Sequence, residues 1–394
     1  MREKQDSNGL HEGLSRRRLL KAVGTLPVVA GIGTLLASEH VRAGPVSKPR
    51  PDVKGGMSAP ELIRRSLTWD NHGALTLEPF EWDCLPKLAR YHDAGFDVVF
   101  LNIGYGEQGI EQHVRMLAHL RGWLAGQADR YVVIRSVEDI ARAKQSGRLA
   151  VGFDIEGANG IADQPSMLQL YYDLGVRWML LAYNRNNRVG GGCLDEDTGL
   201  TPYGRQVLEE MARIGMVVCC SHTGYRTSMD VLTSSPNPVI FSHSNPRAVY
   251  DHPRNIPDPL MRACAATGGV VGINGVGIFL GNNDASTETM VRHIDYAVQL
   301  IGPEHVGLGL DYMINMREID EYLEKMKATL PPGHGYERGI QFVEPERLEQ
   351  IVERLLQLGY DEAAMTAILG GNWLRVARQV WKPESTWVAS EQST

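Results

Sequence analysis

From Leu67 to Asp311 the chain repeats one pattern: a short apolar run, a polar closing residue, then mostly a helical stretch. The runs are Leu67–His72, Asp97–Ile103, Leu149–Glu156, Val176–Tyr183, Met216–His222, Pro238–His243, Gly269–Asn274 and His305–Asp311. A further short run, Tyr131–Ile134, stands outside the count. Runs of this length and apolarity read as strands buried on both faces, which is the habit of parallel sheets. Helical patterns at Ile110–Gln127, Pro165–Leu174, Pro202–Ile214, Asp258–Ala266 and Thr287–Ile301 fill most of the intervals. Eight strands alternating with helices predict an α/β chain folded as a (β/α)8 TIM barrel rather than an open doubly wound sheet.

In such a barrel the carboxyl ends of the strands form the rim where chemistry is assembled. The residues closing the runs are Asp70 and His72, Asp154 and Glu156, Tyr183, His222, His243 and Asp311. Charged groups are rarely buried unless paired or bound to metal, so a ring of them at one mouth points to a site. The sharpest signal lies in Met216–Asn255. Two strand-length runs there, VVCC and VIF, each end in Ser-His, at Ser221-His222 and Ser242-His243. Two imidazoles on neighbouring strand ends can converge on one ion, and neutral nitrogen ligands suit Zn²⁺. Glu156 reads either as a carboxylate bridging two metals or as a hydrogen-bond partner of a ligating histidine. Asp311 is a ligand or the base that takes a proton from metal-activated water. Arg254 is a bidentate clamp for a substrate carboxylate or a surface cation in a local ion pair. His92, His113, His119, His293 and His305 lie at strand starts or in helices and read as structural or surface residues.

With 394 residues, 43% hydrophobic, the chain has enough apolar material for one large barrel or two smaller domains. A net charge of −7 argues against nucleic acid or an anionic membrane surface as the main partner. No GxGxxG follows a strand and no GxxxxGK[ST] occurs, so a nucleotide site has no support.

The N-terminus reads as a twin-arginine-type signal peptide over residues 1–43. Ser15-Arg16-Arg17-Arg18-Leu19-Leu20-Lys21 precedes an apolar run, Ala22–Ala37, and Val41-Arg42-Ala43 offers a cleavage site. The apolar run, interrupted by Pro27 and glycines, is short for a membrane span, so no permanent span is expected. The mature chain is then exported to the periplasm, with a lead-in over 44–65, a catalytic barrel over 66–381 and a polar tail over 382–394. Tyr312–Glu344 follows the last strand and suits a flap over the mouth. The terminal helices read as Pro345–Gln357 and Asp361–Trp381. Five cysteines follow no CxxC spacing, and in an oxidising compartment a disulfide, for instance from Cys84, is open.

These residues resemble a known family. Asp70-Asn71-His72, Ile155-Glu156-Gly157, Ser221-His222, Ser242-His243-Ser244, Asp251-His252-Pro253-Arg254-Asn255 and Gly309-Leu310-Asp311 stand in the order of the membrane (renal) dipeptidases, of the amidohydrolase superfamily. Gly370-Gly371-Asn372-Trp373-Leu374-Arg375-Val376 completes the series, which spans about Ser66 to Val376. The resemblance implies a zinc hydrolase that cleaves dipeptides, often with a D-residue on the C-terminal side, and suggests a homodimer. By position it implies that His72 binds a first zinc, Glu156 bridges, and His222 and His243 bind a second. Asp311 would be the acid/base and Arg254 would hold the substrate carboxylate.

Two positions depart from that pattern. The family's His-x-Asp becomes His72-Gly73-Ala74, and a methyl group cannot ligate, so two zincs or only one are compatible with the chain. Asp70 is a possible extra ligand, since alternation on a regular strand would place it on the face of His72. The family's histidine after the fourth strand is Tyr183 here, whose phenol can donate a hydrogen bond to an oxyanion. The sequence therefore predicts a metal-dependent dipeptidase acting on a small peptide or amide. The alternatives are another amide, an N-acyl amino acid or a lactone at the same site, or a non-catalytic binding homologue.

Overall fold

The computed structural model describes residues 57–383 apart from 80, 329 and 338. The expected signal peptide and nearly all of the polar tail lie outside the described residues. Helix Ala59–Arg65 opens the described chain and buries Leu62 and Ile63.

Ten strands form one sheet: β1 Trp69–Ala74, β2 Val98–Tyr105, β3 Tyr131–Val133, β4 Leu149–Glu156 and β5 Val176–Leu180. β6 Val217–Cys219, β7 Val239–Ile240, β8 Val271–Ile273, β9 Val306–Leu308 and β10 Tyr312–Met313 follow. The path runs β7-β6-β5-β4-β2-β1-β9-β8, all parallel, with β3 hanging from β4 and β10 from β1. A parallel bridge from Phe241 to Val271 joins the two ends. The eight-stranded path is a (β/α)8 barrel.

Several strands are shorter than their apolar runs. β6 stops at Cys219 and β7 at Ile240, so His222 and His243 stand past the ends of these strands rather than within them. The chain past β7 then turns inward over two glycines. A Cβ on Gly309 would stand 1.9 Å from the Ser242 carbonyl oxygen, and one on Gly272 would stand 2.2 Å from it. Only bare backbone lets His243 be carried over the barrel mouth at this depth.

β1 holds a second irregularity. Asp70 pairs with Val99 but Gly73 pairs with Leu101, so β1 spends three steps where β2 spends two. This is a β-bulge, and it breaks the two-residue alternation. Asp70 and His72 therefore do not share a face, contrary to the regular-strand expectation.

Apolar residues fill both sides of the ring. Inside, Trp69 stacks on Phe100 with centroids 5.5 Å apart, and Trp178, Leu180, Val217 and Ile240 belong to the same cluster. Trp373, Val376 and Val380 from the last helix, Asn372–Val380, join that cluster. Asn372 donates to the carbonyls of Pro303 and Val306 at the start of β9, which fixes the helix under the amino ends of the strands. The expected single helix Asp361–Trp381 is broken, because a π turn spans Ala367–Gly371 with Gly370 at non-helical angles. A Cβ there would meet the Leu67 carbonyl at 2.5 Å, so the close approach to β1 needs this glycine.

The expected flap is present. After β10, helix Met316–Met326 lies beside the mouth, and Phe342 bridges back to Val276. Glu318 fastens the helix by accepting from Thr76 Oγ1 at 2.7 Å and from the Leu77 amide. All five cysteines are free thiols, and Cys84 donates to the Glu81 carbonyl rather than forming a disulfide. Among the described residues no helix is long and apolar enough to cross a membrane.

Candidate metal centre

Glu156, the last residue of β4, is the hub. Its Oε1 lies 3.1 Å from His222 Nε2, 3.2 Å from His243 Nε2 and 3.6 Å from His72 Nε2. His222 Nε2 and His243 Nε2 are 2.9 Å apart. Ligand atoms around a tetrahedral zinc stand about 3.3 Å from one another, so this triangle has the size of a coordination sphere. His72, Glu156 and His243 also form a buried group whose ligand atoms lie within 4.8 Å of one another. His72 and His243 stack with ring centroids 4.1 Å apart.

The protonation logic makes the cluster a cation site. His222 Nδ1 lies 2.7 Å from Asn184 Oδ1, an acceptor, so its proton sits on Nδ1 and the Nε2 lone pair faces inward. His243 Nδ1 is 2.9 Å from Ser242 Oγ. Burial, helped by Arg254 and His72, holds both imidazoles well below their usual range and therefore neutral. Glu156 Oε1 is buried with no hydrogen-bond donor. Neutral lone pairs and an orphan carboxylate oxygen converging on one point lack only a positive ion. The residues present fit a divalent metal.

His72 sits at the edge of the triangle in an acidic setting. Its Nδ1 is 3.3 Å from Asp154 Oδ2, and its Nε2 is 3.4 Å from Asp311 Oδ1. Burial disfavours its cation, but Asp154 and Glu156 outweigh burial and raise its pKa well above the usual range. Glu156 is itself pushed up to about 8 by burial, with His72 opposing. Asp154, held also by Asn102 Nδ2 at 3.1 Å, is the carboxylate that orients His72.

Asp70 is not brought to the centre. Its Oδ1 accepts from the Leu310 amide at 2.7 Å and from the His72 amide at 3.5 Å, so it ties β1 to β9. Burial raises its pKa to about 7, against the pull of those two amides. The bulge after Asp70 is what turns it away.

Asp311 is brought in. Its Oδ2 accepts from Asn274 Nδ2 at 2.9 Å, while Oδ1 faces His72. Arg254, 3% exposed, lies over Phe279 at 5.2 Å, and among the described residues its side chain reaches only the His243 carbonyl, at 3.5 Å. It makes no salt bridge among the described residues, and its Nε has no acceptor. Arg254 and His222 line one cavity of about 200 Å³ with Cys193, Thr223 and Ile256. A buried unpaired guanidinium one cavity away from the ion site is a place for an anionic substrate group. The Tyr183 ring stacks on His222 at 4.2 Å, and its hydroxyl lies 3.1 Å from the Tyr322 hydroxyl.

The sequence does not single out Asn184, Asn102, Asn274 or Tyr322, and it offers Ser242 only as the neighbour of His243. Asn184 adjoins Tyr183, and that adjacency is the available signal. Asp154 appeared only as a strand-closing residue; alternation with Glu156 on β4 is what places both inside.

The model of the membrane dipeptidase family (peptidase family M19) matches residues 87–328. The chain belongs to the membrane dipeptidase family. The uncharacterized protein in the pqqA 5′ region of Klebsiella pneumoniae is 32% identical over 280 residues, covering 68% of this chain and 96% of that one. Dipeptidase tcpJ of Claviceps purpurea is also 32% identical, over 259 residues, covering 64% and 56%. Among solved structures, an amidohydrolase from Pseudomonas aeruginosa superimposes with a TM-score of 0.75 at 25% identity, covering 82% and 99%. A Rhodobacter sphaeroides metallopeptidase, solved with a phosphinate mimic of L-Ala-D-Ala, gives 0.66 at 22% identity, covering 80% and 100%. The chain is thus a metallopeptidase of the dipeptidase type, and a metal is its cofactor.

Proposed function

We propose that the protein is a zinc-dependent dipeptidase that accepts a D-residue on the C-terminal side of the scissile bond. The observation carrying this is the Glu156 carboxylate facing three imidazole nitrogens, beside a buried and unpaired Arg254. Imidazoles with a carboxylate are a donor set that zinc favours. His222, His243 and Glu156 would hold the tight metal. His72 and Glu156 would hold another one weakly, because Ala74 supplies no ligand. The phosphinate L-Ala-D-Ala mimic bound by the Rhodobacter relative supports the D-residue preference.

The Lewis acidity that zinc brings when bound polarises the scissile carbonyl and lets water attack near neutral pH. Arg254 holds the substrate carboxylate through paired N–H bonds. Asp311, fixed by Asn274, takes the proton from the attacking water and passes it to the leaving amine. Tyr183 donates to the carbonyl oxygen as negative charge develops there. Asn184, Ser242 and Asp154 keep the imidazoles in one orientation throughout.

The test is a panel of L,L- and L,D-dipeptides against wild type and Asp311→Asn, with metal content per chain measured in both. Loss of turnover by roughly 10²–10⁴-fold with metal and fold retained supports the reading. Full activity in Asp311→Asn overturns the assignment. The twin-arginine pattern at Arg16-Arg17 supports a periplasmic location. Replacing both arginines by lysine is expected to leave the protein in the cytoplasmic fraction. A homodimer is proposed from the family resemblance, and sedimentation of the purified protein tests it.

A further inference from the structure

Tyr183 stands where the family pattern has a histidine, and its phenol is anchored from two sides. Its ring lies on the His222 imidazole at 4.2 Å and 22°. Its hydroxyl is 3.1 Å from that of Tyr322, which the flap helix Met316–Met326 carries in. Tyr322 is braced in turn by Tyr105, packed edge-on at 5.5 Å. The helix is pinned at its first turn by Glu318 on Thr76 and Leu77.

A pair of phenols has two protons, and only one is needed for the bond between them. When Tyr322 donates to Tyr183, the Tyr183 proton is left for the substrate. A donated bond also polarises the acceptor hydroxyl and makes it a stronger donor in its own right. Burial raises both phenol pKa values, with Tyr322 at about 12, so both stay protonated at neutral pH. Oxyanion stabilisation rewards donors fixed before charge appears.

We propose that Tyr322 is a positioning residue for Tyr183, so that the hydrogen-bond donor to the oxyanion is assembled only when the flap is docked. This rests on the reading of Tyr183 as that donor. The flap then does more than cover the mouth, because it carries a part of the catalytic arrangement. Substrates that prevent docking bind without being turned over.

The experiment compares zinc-loaded full-length wild type, Tyr183→Phe, Tyr322→Phe and the double variant. Each phenylalanine keeps the ring and removes the hydroxyl, and melting temperatures confirm the fold. Tyr322→Phe is expected to lose roughly tenfold or more in kcat with KM changed less than about twofold. The double variant is expected to be no slower than Tyr183→Phe alone, since the two hydroxyls act as one unit. Affinity for a phosphinate pseudo-dipeptide, measured calorimetrically, should fall by a like factor in both single variants. Full kcat in Tyr322→Phe, or losses that multiply in the double variant, overturns the proposal. If wild type cleaves no dipeptide, the dipeptidase reading fails by itself. The phosphinate affinities then decide the tyrosine pair: equal losses support it, and unchanged affinity in Tyr322→Phe overturns it.

Discussion

Three residues around the candidate ion site hold left-handed backbone: Asn184 at φ 60°, His222 at 62° and Asp311 at 56°. Non-glycine residues pay to stay there, on the order of 1–3 kcal/mol each, so the surrounding fold must enforce it. The return is direction. His222 leaves its strand early and turns its Nε2 onto Glu156, while Asp311 donates its amide to the His72 carbonyl at 2.8 Å. Against that preorganised set, Ala74 is the odd position. It lies two residues past His72 and beyond the bulge, on the stretch where β1 pairs with β10. On the proposed two-metal reading, Ala74→Asp would offer the ion beside His72 a carboxylate that the present set lacks. The expected outcome is a rise toward two tightly held zincs per chain, read as metal content after dialysis against a weak chelator. Unchanged content would mean that the aspartate does not reach the ion.

At the scale of elements, the strand ends were legible because an apolar run closing on a charged residue has few meanings in an α/β chain. Glu156, His222, His243 and Asp311 all gave that signal, and the structure gathers all four. Asp70 gave the same signal and goes elsewhere. A bulge inserts one residue without changing composition or hydrophobic pattern, so nothing in Leu67–His72 announces it. Other partners were invisible for another reason: Asn184 meets His222, and Asn274 meets Asp311, only through the closure of the ring. Tyr322 depends on how a 33-residue flap segment docks, which is a tertiary matter. Glycines at close crossings carry the same lesson. Gly309 permits β9 to pass the Ser242 carbonyl, and that crossing sets the depth of His243. Gly309→Ala forces the two backbones apart, an overpacking that costs about 1–3 kcal/mol. Both a lower unfolding midpoint and weaker zinc retention are expected, the second because His243 moves off Glu156. A variant that melts early yet binds zinc as wild type does would separate the crossing from the site.

For the whole molecule, the helical layer around the barrel carries a pH dependence of its own, remote from the ion site. His113, on helix Ile110–Ala125, is buried against Tyr171, with Nδ1 3.1 Å from the phenol oxygen. His293, on helix Thr287–Ile301, is buried with Nε2 2.8 Å from the Leu280 carbonyl. Burial lowers both pKa values to about 4, from 6.5 for a free imidazole. Each group has a depressed folded-state pKa and is uncharged in the fold at neutral pH. Its contribution is therefore complete above 6.5 and is lost as pH falls from 6.5 toward 4, where the unfolded chain takes up protons first. A shift of that size corresponds to roughly 2–4 kcal/mol per histidine. Against a net stability of about 5–15 kcal/mol, two such groups make acid unfolding begin well above the carboxylate range. The unfolding midpoint of zinc-free protein should drop steeply between pH 6.5 and 4, and His113→Gln should flatten that slope even if it lowers the midpoint at pH 7. An unaltered slope in both His113→Gln and His293→Gln would place the acid sensitivity in His222 and His243 instead, which burial also holds neutral.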